Sequence, residues 1–285
     1  MKTILITGVG GPAGANLAAM LVERGCHVVG VDLREVPFTE GLFLQAPPVL
    51  DPQYLPFLQG IVRREGVDLV IPTLTEELPL MAGAWSQLED TPVVISSEQA
   101  VAVAQDKYWT AKELARREVA VPKFGLPSDF ADAQAVAERL GWPCVVKPRR
   151  GRGGRGVRLV QAGEWGQQAW PDEDWIVQEF VPGIDYAPNV FVGEGESFAV
   201  VLEKTALREG ITGNALSVER VEAADVARAA ILAAQAVGLT GPLDVDIRRR
   251  ANGQPVVLEI NARFGANIRC APEVLDAVLK VYFPR

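Results

Sequence analysis

A run of β-branched residues that stops at a cluster of glycines and restarts as a helix leaves a chain few folds to adopt. Residues 5–18 read LITGVGGPAGANLA, and they do this within a single turn. Ile4, Leu5 and Ile6 form the apolar run, Gly8, Gly10, Gly11 and Gly14 form the turn, and small residues follow that suit a helix pressed against a sheet. A second apolar run, HVVGVD, ends on Asp32. Strand, glycine turn, helix, strand and terminal acid together match the pattern of dinucleotide sites, where the acid takes a ribose hydroxyl. The same pattern opens sheets that bind no dinucleotide. The turn therefore predicts an α/β opening and leaves its ligand to the rest of the chain.

The alternation continues with a strand over 67–72, a helix over 76–88 and a strand over 92–96, which predicts a parallel sheet with helices on its faces. A second unit is expected from near residue 100. Its helix DKYWTAKELARRE (106–118) has Asp106 as N-cap. A short strand in VPKFGLP, a helix ending at Gly141, the strand PCVVKP, the loop RRGRGGRG (149–156), the strand VRLV, a short helix near 163–170 and the strand WIVQEFV follow. Beyond PGIDY the chain turns strand-rich, with APNVFVG, SFAVVLEKTAL and ALSVERV ahead of a helix over 223–237. GPLDVDIRRR and PVVLEINARFG flank the turn ANGQ, whose Asn252-Gly253 pair marks a hairpin. A helix over 272–281 is the last element expected.

Composition removes several classes of function. The chain of 285 residues carries 28 basic and 36 acidic residues, a net charge of −8 that argues against nucleic acid as a partner. Cys26, Cys144 and Cys270 lie far apart, and His27 is the single histidine, so neither a disulfide framework nor a histidine triad or metal cage is indicated. No apolar run is long enough for a membrane span, and MKTILITG enters a strand directly, so a cytoplasmic location is expected.

Two stretches carry chemistry. In VVKPRRGRGGRGV, Lys147 emerges from an apolar strand into a loop with Arg149, Arg150, Arg152 and Arg155 among its glycines. Backbone amides freed by glycine approach an anion closely and the cations add charge, a match to a polyphosphate, although a solvated basic hairpin tip would look the same. The spacing is not that of a P-loop. In VLEINARFG, Glu259, Asn261 and Arg263 alternate, which puts oxygen donors and a cation on one strand face, as Mg²⁺ beside a phosphate requires. Across the hairpin Asp244 and Asp246 share a face and are placed to join Glu259 in an acidic cluster, which favours a cation. Val257, Leu258 and Ile260 would then be the buried set, and that alternation is imperfect. WIVQEFVPGIDY adds a strand ending in an apolar hinge, suited to an adenine edge, with Asp185 a few residues on for ribose hydroxyls.

Taken in order, these residues resemble the ATP-grasp superfamily, in particular carboxylate–amine ligases like the carbamoyl phosphate synthase large subunit. The resemblance runs over nearly the whole chain. It implies an ATP-grasp fold, α/β with an α+β C-terminal part, behind a Rossmann-like pre-grasp unit that includes ILITGVGGPAG and usually binds no NAD. The units implied are residues 1–97, a lid unit over 98–178 and a metal- and ATP-binding unit over 179–285.

By position the resemblance gives Lys107 and Lys147 to the ATP phosphates and lays the 151–156 loop, with Gly153 and Gly154, over them. It gives the hinge from Gln178 through Glu179 to Val181 to adenine, and Asp185 to the ribose. Asp246, Glu259 and Asn261 would hold Mg²⁺ or Mn²⁺, and Arg208 and Arg263 would stabilise charge on the transferred phosphoryl group. Asp185 stands where the family usually has Glu, Asp246 where Gln or another polar residue is common, and Ala262 where Pro is frequent.

Thr73, Thr75 and Glu76 of PTLTEE, at the carboxyl end of a parallel strand, are candidates for contacting an amine substrate or the nucleotide, and Arg269 for a small carboxylate substrate, although a solvated loop would look the same. The chain runs about 20 residues past NARFG, so part of the acceptor pocket is expected to be minimal or supplied by a partner subunit, with a homodimer as the simplest assembly. The implied reaction is amide-type bond formation through an acyl phosphate.

A rival reading follows the short-chain dehydrogenases. Thr7, Gly8, Gly11 and Gly14 fit their opening, Asp32 suits NAD, and Tyr108 and Lys112 have the spacing of their proton relay, with Ser96 upstream. That reading leaves VVKPRRGRGGRGV and VLEINARFG without a role. A non-catalytic ATP-binding protein is the third alternative.

Overall fold

A computed structural model describes residues 1–85, 90–209 and 212–284, with the backbone alone of residues 85, 208, 209 and 212–214. Three sheets organise it. The first contains β1 (Thr3–Thr7), β2 (His27–Asp32), β3 (Gly41–Gln45) and β4 (Leu69–Ile71), all parallel, in the order β3-β2-β1-β4. Their buried β-branched residues are covered on one face by α1 (Pro12–Glu23) and on the other by α2 (Tyr54–Glu65), as a two-sided parallel sheet requires.

The glycine turn works by close packing. A Cβ on Gly14 would lie 2.4 Å from the Gly8 carbonyl oxygen, and Gly8 itself has a φ of +66°. Asp32 folds back so that its carboxylate accepts from the Gly10 amide at 2.9 Å.

The expected helix over 76–88 begins as a 3-10 turn (Thr75–Glu77) and passes through a wide helical turn over Met81–Trp85; residues 86–89 lie outside the described residues. The expected strand over 92–96 is reduced to a single parallel bridge between Val70 and Val93. β3, α2 and α3 (Glu98–Ala104) are among the elements with no counterpart in the sequence reading. Pro56 and Gly60 interrupt the α2 pattern, but Pro56 falls in the first turn, where its missing N–H costs no bond.

The second sheet is antiparallel: β5 (Phe124–Gly125), β6 (Cys144–Pro148), β7 (Arg158–Val160) and β8 (Trp175–Glu179), in the order β5-β8-β6-β7, with α5 (Ala133–Arg139) packed on it. The short helix expected near 163–170 is one 3-10 turn, Ala162–Glu164.

The third sheet holds β9 (Asp185–Tyr186), β10 (Asn189–Val192), β11 (Ser197–Val200), β12 (Leu202–Glu209), β13 (Thr212–Arg220), β14 (Gly241–Arg249) and β15 (Pro255–Asn261). Its core rests on α6 (Ala224–Val237), and Ala100, Val101 and Leu114, from α3 and α4 (Lys107–Arg116), join that core. The last helix, α7 (Pro272–Tyr282), returns to the first sheet, where Val274, Leu275 and Val278 pack with Ile4 and Leu17. Among the described residues no helix is long and apolar enough to cross a membrane.

Candidate active site

A cavity lies between the second and third sheets, where the two chemical stretches meet. Lys147, near the end of β6, is 6% exposed, and its ammonium donates to the Leu258 carbonyl of β15 at 3.3 Å. That carbonyl is available because the ladder slips there: Asp246 pairs with Glu259 but Ile247 pairs with Val257, which leaves Leu258 as an extra residue. The bulge accounts for the imperfect alternation in VVLEIN. Burial pushes the Lys147 ammonium down to about 8, against the pull of Glu259, and nearby Lys107 adds to the fall.

Lys107 opens α4. Asp106 caps the helix, accepting from the amides of Tyr108 and Trp109 at 3.0 and 3.4 Å. The same carboxylate, 1% exposed, also receives Arg149 at 2.8 Å and Arg150 at 3.2 Å, so the base of the glycine loop is fastened to the start of the helix. Lys107 donates to the Gly151 carbonyl at 3.0 Å and stands 3.4 Å from Glu259. Gly151, Gly153, Gly154 and Gly156 all have positive φ, and all but Gly156 line the cavity, together with Arg150, Arg152 and Arg155.

On the hinge, Gln178 is buried and Val181 lines the cavity. Glu179 faces it too, but its carboxylate accepts from the Lys123 amide at 2.9 Å and from Arg250 at 2.8 and 3.0 Å. Although burial works the other way, Arg250 and Lys123 hold that carboxyl below its usual range.

Asp185 accepts two bonds from Arg248 at 2.8 and 2.9 Å and stands 3.1 Å from the Lys204 ammonium. Lys204 reaches Asp246 at 2.5 Å. Burial alone would lower the Lys204 pKa, yet Asp246 and Asp185 hold it well above the ordinary lysine value.

Asp246 faces Glu259, and Asp244 faces Asn261, across the hairpin. Burial raises the Asp244 carboxyl, and Asp246 adds to this. Burial also works on Asp246, but Lys204 turns the balance and lowers it. The expected three-carboxylate cluster does not form: among the described residues no three acidic, histidine or cysteine side chains gather to hold a metal. Asp244 turns instead to Arg263 at 3.2 Å, and a Cβ on Gly265 would touch its carboxyl group at 2.7 Å. What remains is Asp246, Glu259 and the Asn261 amide, oxygen donors of the kind a hard cation takes.

The cavity lining thus brings together Lys107, Lys147, Gly153, Gly154, Gln178, Glu179, Val181, Asp185, Asp246, Glu259, Asn261 and Arg263. Arg208 belongs to β12, but its side chain lies outside the described residues. Thr73, Thr75, Glu76 and Arg269, the expected contacts, are not on that lining. Thr73 is buried against Thr7, to whose carbonyl it donates at 2.7 Å. Glu76 pairs with Arg152 of the glycine loop at 2.7 Å. Arg269 turns away to Glu23 of α1 at 2.6 Å.

Beside Glu76, Glu77 is fully buried and accepts from Thr7, from Tyr54 and from the Leu74 amide; burial raises its carboxyl. Lys204 and Arg248 were missed from the sequence. Arg248 could have been found as the next residue on the Asp244–Asp246 face, whereas Lys204 carried no signal of its own. The dehydrogenase relay is not assembled: Ser96 bonds to Thr240 through both its donor and its acceptor, and Tyr108 packs on Phe124 and Arg149.

A family model described as an ATP-grasp domain matches residues 104–267. A formate-dependent phosphoribosylglycinamide formyltransferase of Prochlorococcus marinus (strain MIT 9303) is 33% identical over 172 residues, 59% of this chain and 42% of its own length. A carbamoyl phosphate synthase large chain of Mycobacterium tuberculosis is 28% identical over 218 residues, 70% of this chain and 19% of the relative. The chain thus matches less than half the length of these curated relatives. Among solved structures, the N5-carboxyaminoimidazole ribonucleotide synthetase from Thermotoga maritima superposes with a TM-score of 0.69 at 20% identity, over 92% of this chain and 69% of that one. The L-amino acid ligase from Bacillus licheniformis gives 0.70 at 18% identity, over 94% and 69%. At these identities the solved structures speak for the fold.

Proposed function

The chain belongs to the ATP-grasp family, and on that premise we propose that it is an ATP-dependent carboxylate–amine ligase working in the cavity between the second and third sheets. One contact supports this most: Lys147 and Leu258, 111 residues apart, join the glycine-loop stretch to the acid–Asn–Arg stretch. In this reading Lys107 and Lys147 bind the ATP phosphates, and Gly153 and Gly154 close over them. Gln178, Glu179 and Val181 border the base, Glu179 by bracing the hinge through Arg250, and Asp185 lies on the ribose side.

Asp246, Glu259 and Asn261 would hold Mg²⁺ or Mn²⁺, which when bound supplies positive charge against the phosphate oxygens. The units over 1–97, 98–178 and 179–285 are a proposal of the same kind, as is a homodimer.

A substrate carboxylate oxygen attacks the γ-phosphorus, the bond to ADP breaks, and an acyl phosphate forms. An amine nitrogen then attacks the acyl carbon, loses a proton and expels phosphate. Arg263 and Arg208 stabilise the developing charge, so the chain's work is positioning and electrostatics. Closure of the 151–156 loop keeps water from the acyl phosphate. The names of the relatives, a formyltransferase and two synthetases or ligases of small molecules among them, support small carboxylate and amine substrates.

The test is a thermal-shift comparison with Mg-ATP, Mg-ADP, NAD and NADP. Ligand at a hundred times its dissociation constant adds about 2.7 kcal/mol. Stabilisation by the adenine nucleotides alone, lost in Lys147→Ala, is expected, followed by ADP release in a screen of carboxylate and amine pairs. Stabilisation by NAD or NADP alone would sink the ligase reading, and tight Mg-ATP binding without turnover on any pair would favour a binding protein.

A further inference from the structure

Ionic side chains run in alternation along the floor of the cavity, and two of them stand where the metal carboxylates should be open. Arg248 holds one oxygen of Asp185, and Lys204 stands between the other oxygen, at 3.1 Å, and Asp246, at 2.5 Å. Across the ladder from Asp246, Glu259 has Lys107 at 3.4 Å. Each carboxylate proposed for the metal therefore already faces an ammonium. Lys204 is only 9% exposed, so its charge is neutralised by these neighbours rather than by water. The arrangement is also not saturated: Oδ1 of Asp185 is buried and accepts no aligned hydrogen bond although Lys204 is near.

Resting on the ATP reading of the cavity, we propose that Lys204 is an internal counter-cation for Asp246, displaced only by a divalent ion that arrives with nucleotide phosphates, to which Lys204 then turns. Charge favours this order. Apart from the glycine loop, five lysines and arginines on the lining meet five carboxylates, Glu179 among them, and the loop's Arg150, Arg152 and Arg155 tip the balance to positive. A bare divalent ion enlarges that excess, whereas a metal–nucleotide complex, net negative, offsets it. Lys204 thereby makes metal binding conditional on nucleotide and supplies a phosphate contact once it is displaced. An ammonium tethered beside its carboxylate competes with free metal at a high effective concentration, which a metal already held by phosphates overcomes.

Mn²⁺ is the probe, followed by electron paramagnetic resonance of the free ion with and without ADP. Lys204→Met is expected to tighten nucleotide-free Mn²⁺ binding about tenfold and to weaken ADP binding about tenfold, opposite signs that a general loss of structure would not give. Lys204→Gln, whose amide still donates to Asp246, is expected to move both in the same directions and covers the case in which the Met variant does not fold. Lys204→Arg keeps the charge and should hold nucleotide-free Mn²⁺ binding at the wild-type level. Unchanged or weaker nucleotide-free Mn²⁺ binding in the Met and Gln variants overturns the inference and leaves the ATP reading standing. Failure of the wild-type protein to bind ADP with Mn²⁺ overturns both.

Discussion

The chain has two glycine-rich loops, and they use glycine for opposite reasons. In the first, residues 8–14, the missing side chains let backbone meet backbone: a Cβ on Gly14 would sit 2.4 Å from the Gly8 oxygen, and one on Gly10 would meet the Asp32 carboxylate at 3.0 Å. In the second, residues 151–156, a Cβ on Gly151 would meet nothing within 4 Å, and arginines surround the cavity it faces. Glycine content alone therefore does not identify a phosphate loop. What stands beside the glycines decides: in the first loop the helix and an inward-folded acid, at Gly151 of the second open space and cations.

Substitution should separate the two. Gly14→Ala forces a Cβ onto a backbone oxygen that has no room to move, and is expected to destabilise the protein by about 3 kcal/mol in chemical denaturation. Gly151→Ala meets only the strain of a φ of +136° and should cost about 1 kcal/mol while weakening ADP binding. Equal losses of stability would break the comparison.

Beside the second loop, Lys147→Met removes a buried cation and should weaken ADP binding about a hundredfold by calorimetry, with the melting temperature of the ligand-free protein little changed.

Acidity sharpens the same contrast. The folded protein holds the Lys147 proton only up to about pH 8, whereas the unfolded chain keeps it to 10.5. Between those values the unfolded chain binds more protons, so this group makes stability rise with pH, while the ammonium proposed to bind phosphate is being lost. ADP affinity should therefore fall as pH climbs through 8, and Lys147→Met should flatten that part of the profile. A wild-type profile level across that window would show that the lysine is not the phosphate contact. The smallest effect is expected from Glu76→Gln, which unlatches half-buried Arg152 from the 3-10 turn that follows β4 and should change the KM for ATP about twofold.

Sequence made most of the strands and the two chemical stretches legible because their signals are local. Lys147 stands out as a cation ending an apolar strand, and Asn252-Gly253 announces its hairpin. Only three-dimensional pairing explains the rest. Thr73 and Glu76 lie where open parallel sheets bind ligands, but one is spent on Thr7 and the other on Arg152, partners that no spacing rule connects. Asp244 reads like a metal ligand until Arg263 and Gly265 are seen against it. Lys204 is one of many charges on a strand until β9 and β14 bring Asp185 and Asp246 to it. Residues 33–66 hid α2 because prolines and a glycine masked an otherwise amphipathic run.

The bulge at Leu258 has a consequence for anyone who would redesign the hairpin. Deleting this residue would restore an unbroken ladder and keep Asp246 opposite Glu259, so a procedure that idealises backbones would remove it first. The sheet would accept the repair. Lys147 would lose the carbonyl that the irregularity turns toward it, and the blueprint would have deleted as a flaw the contact on which the proposed site rests.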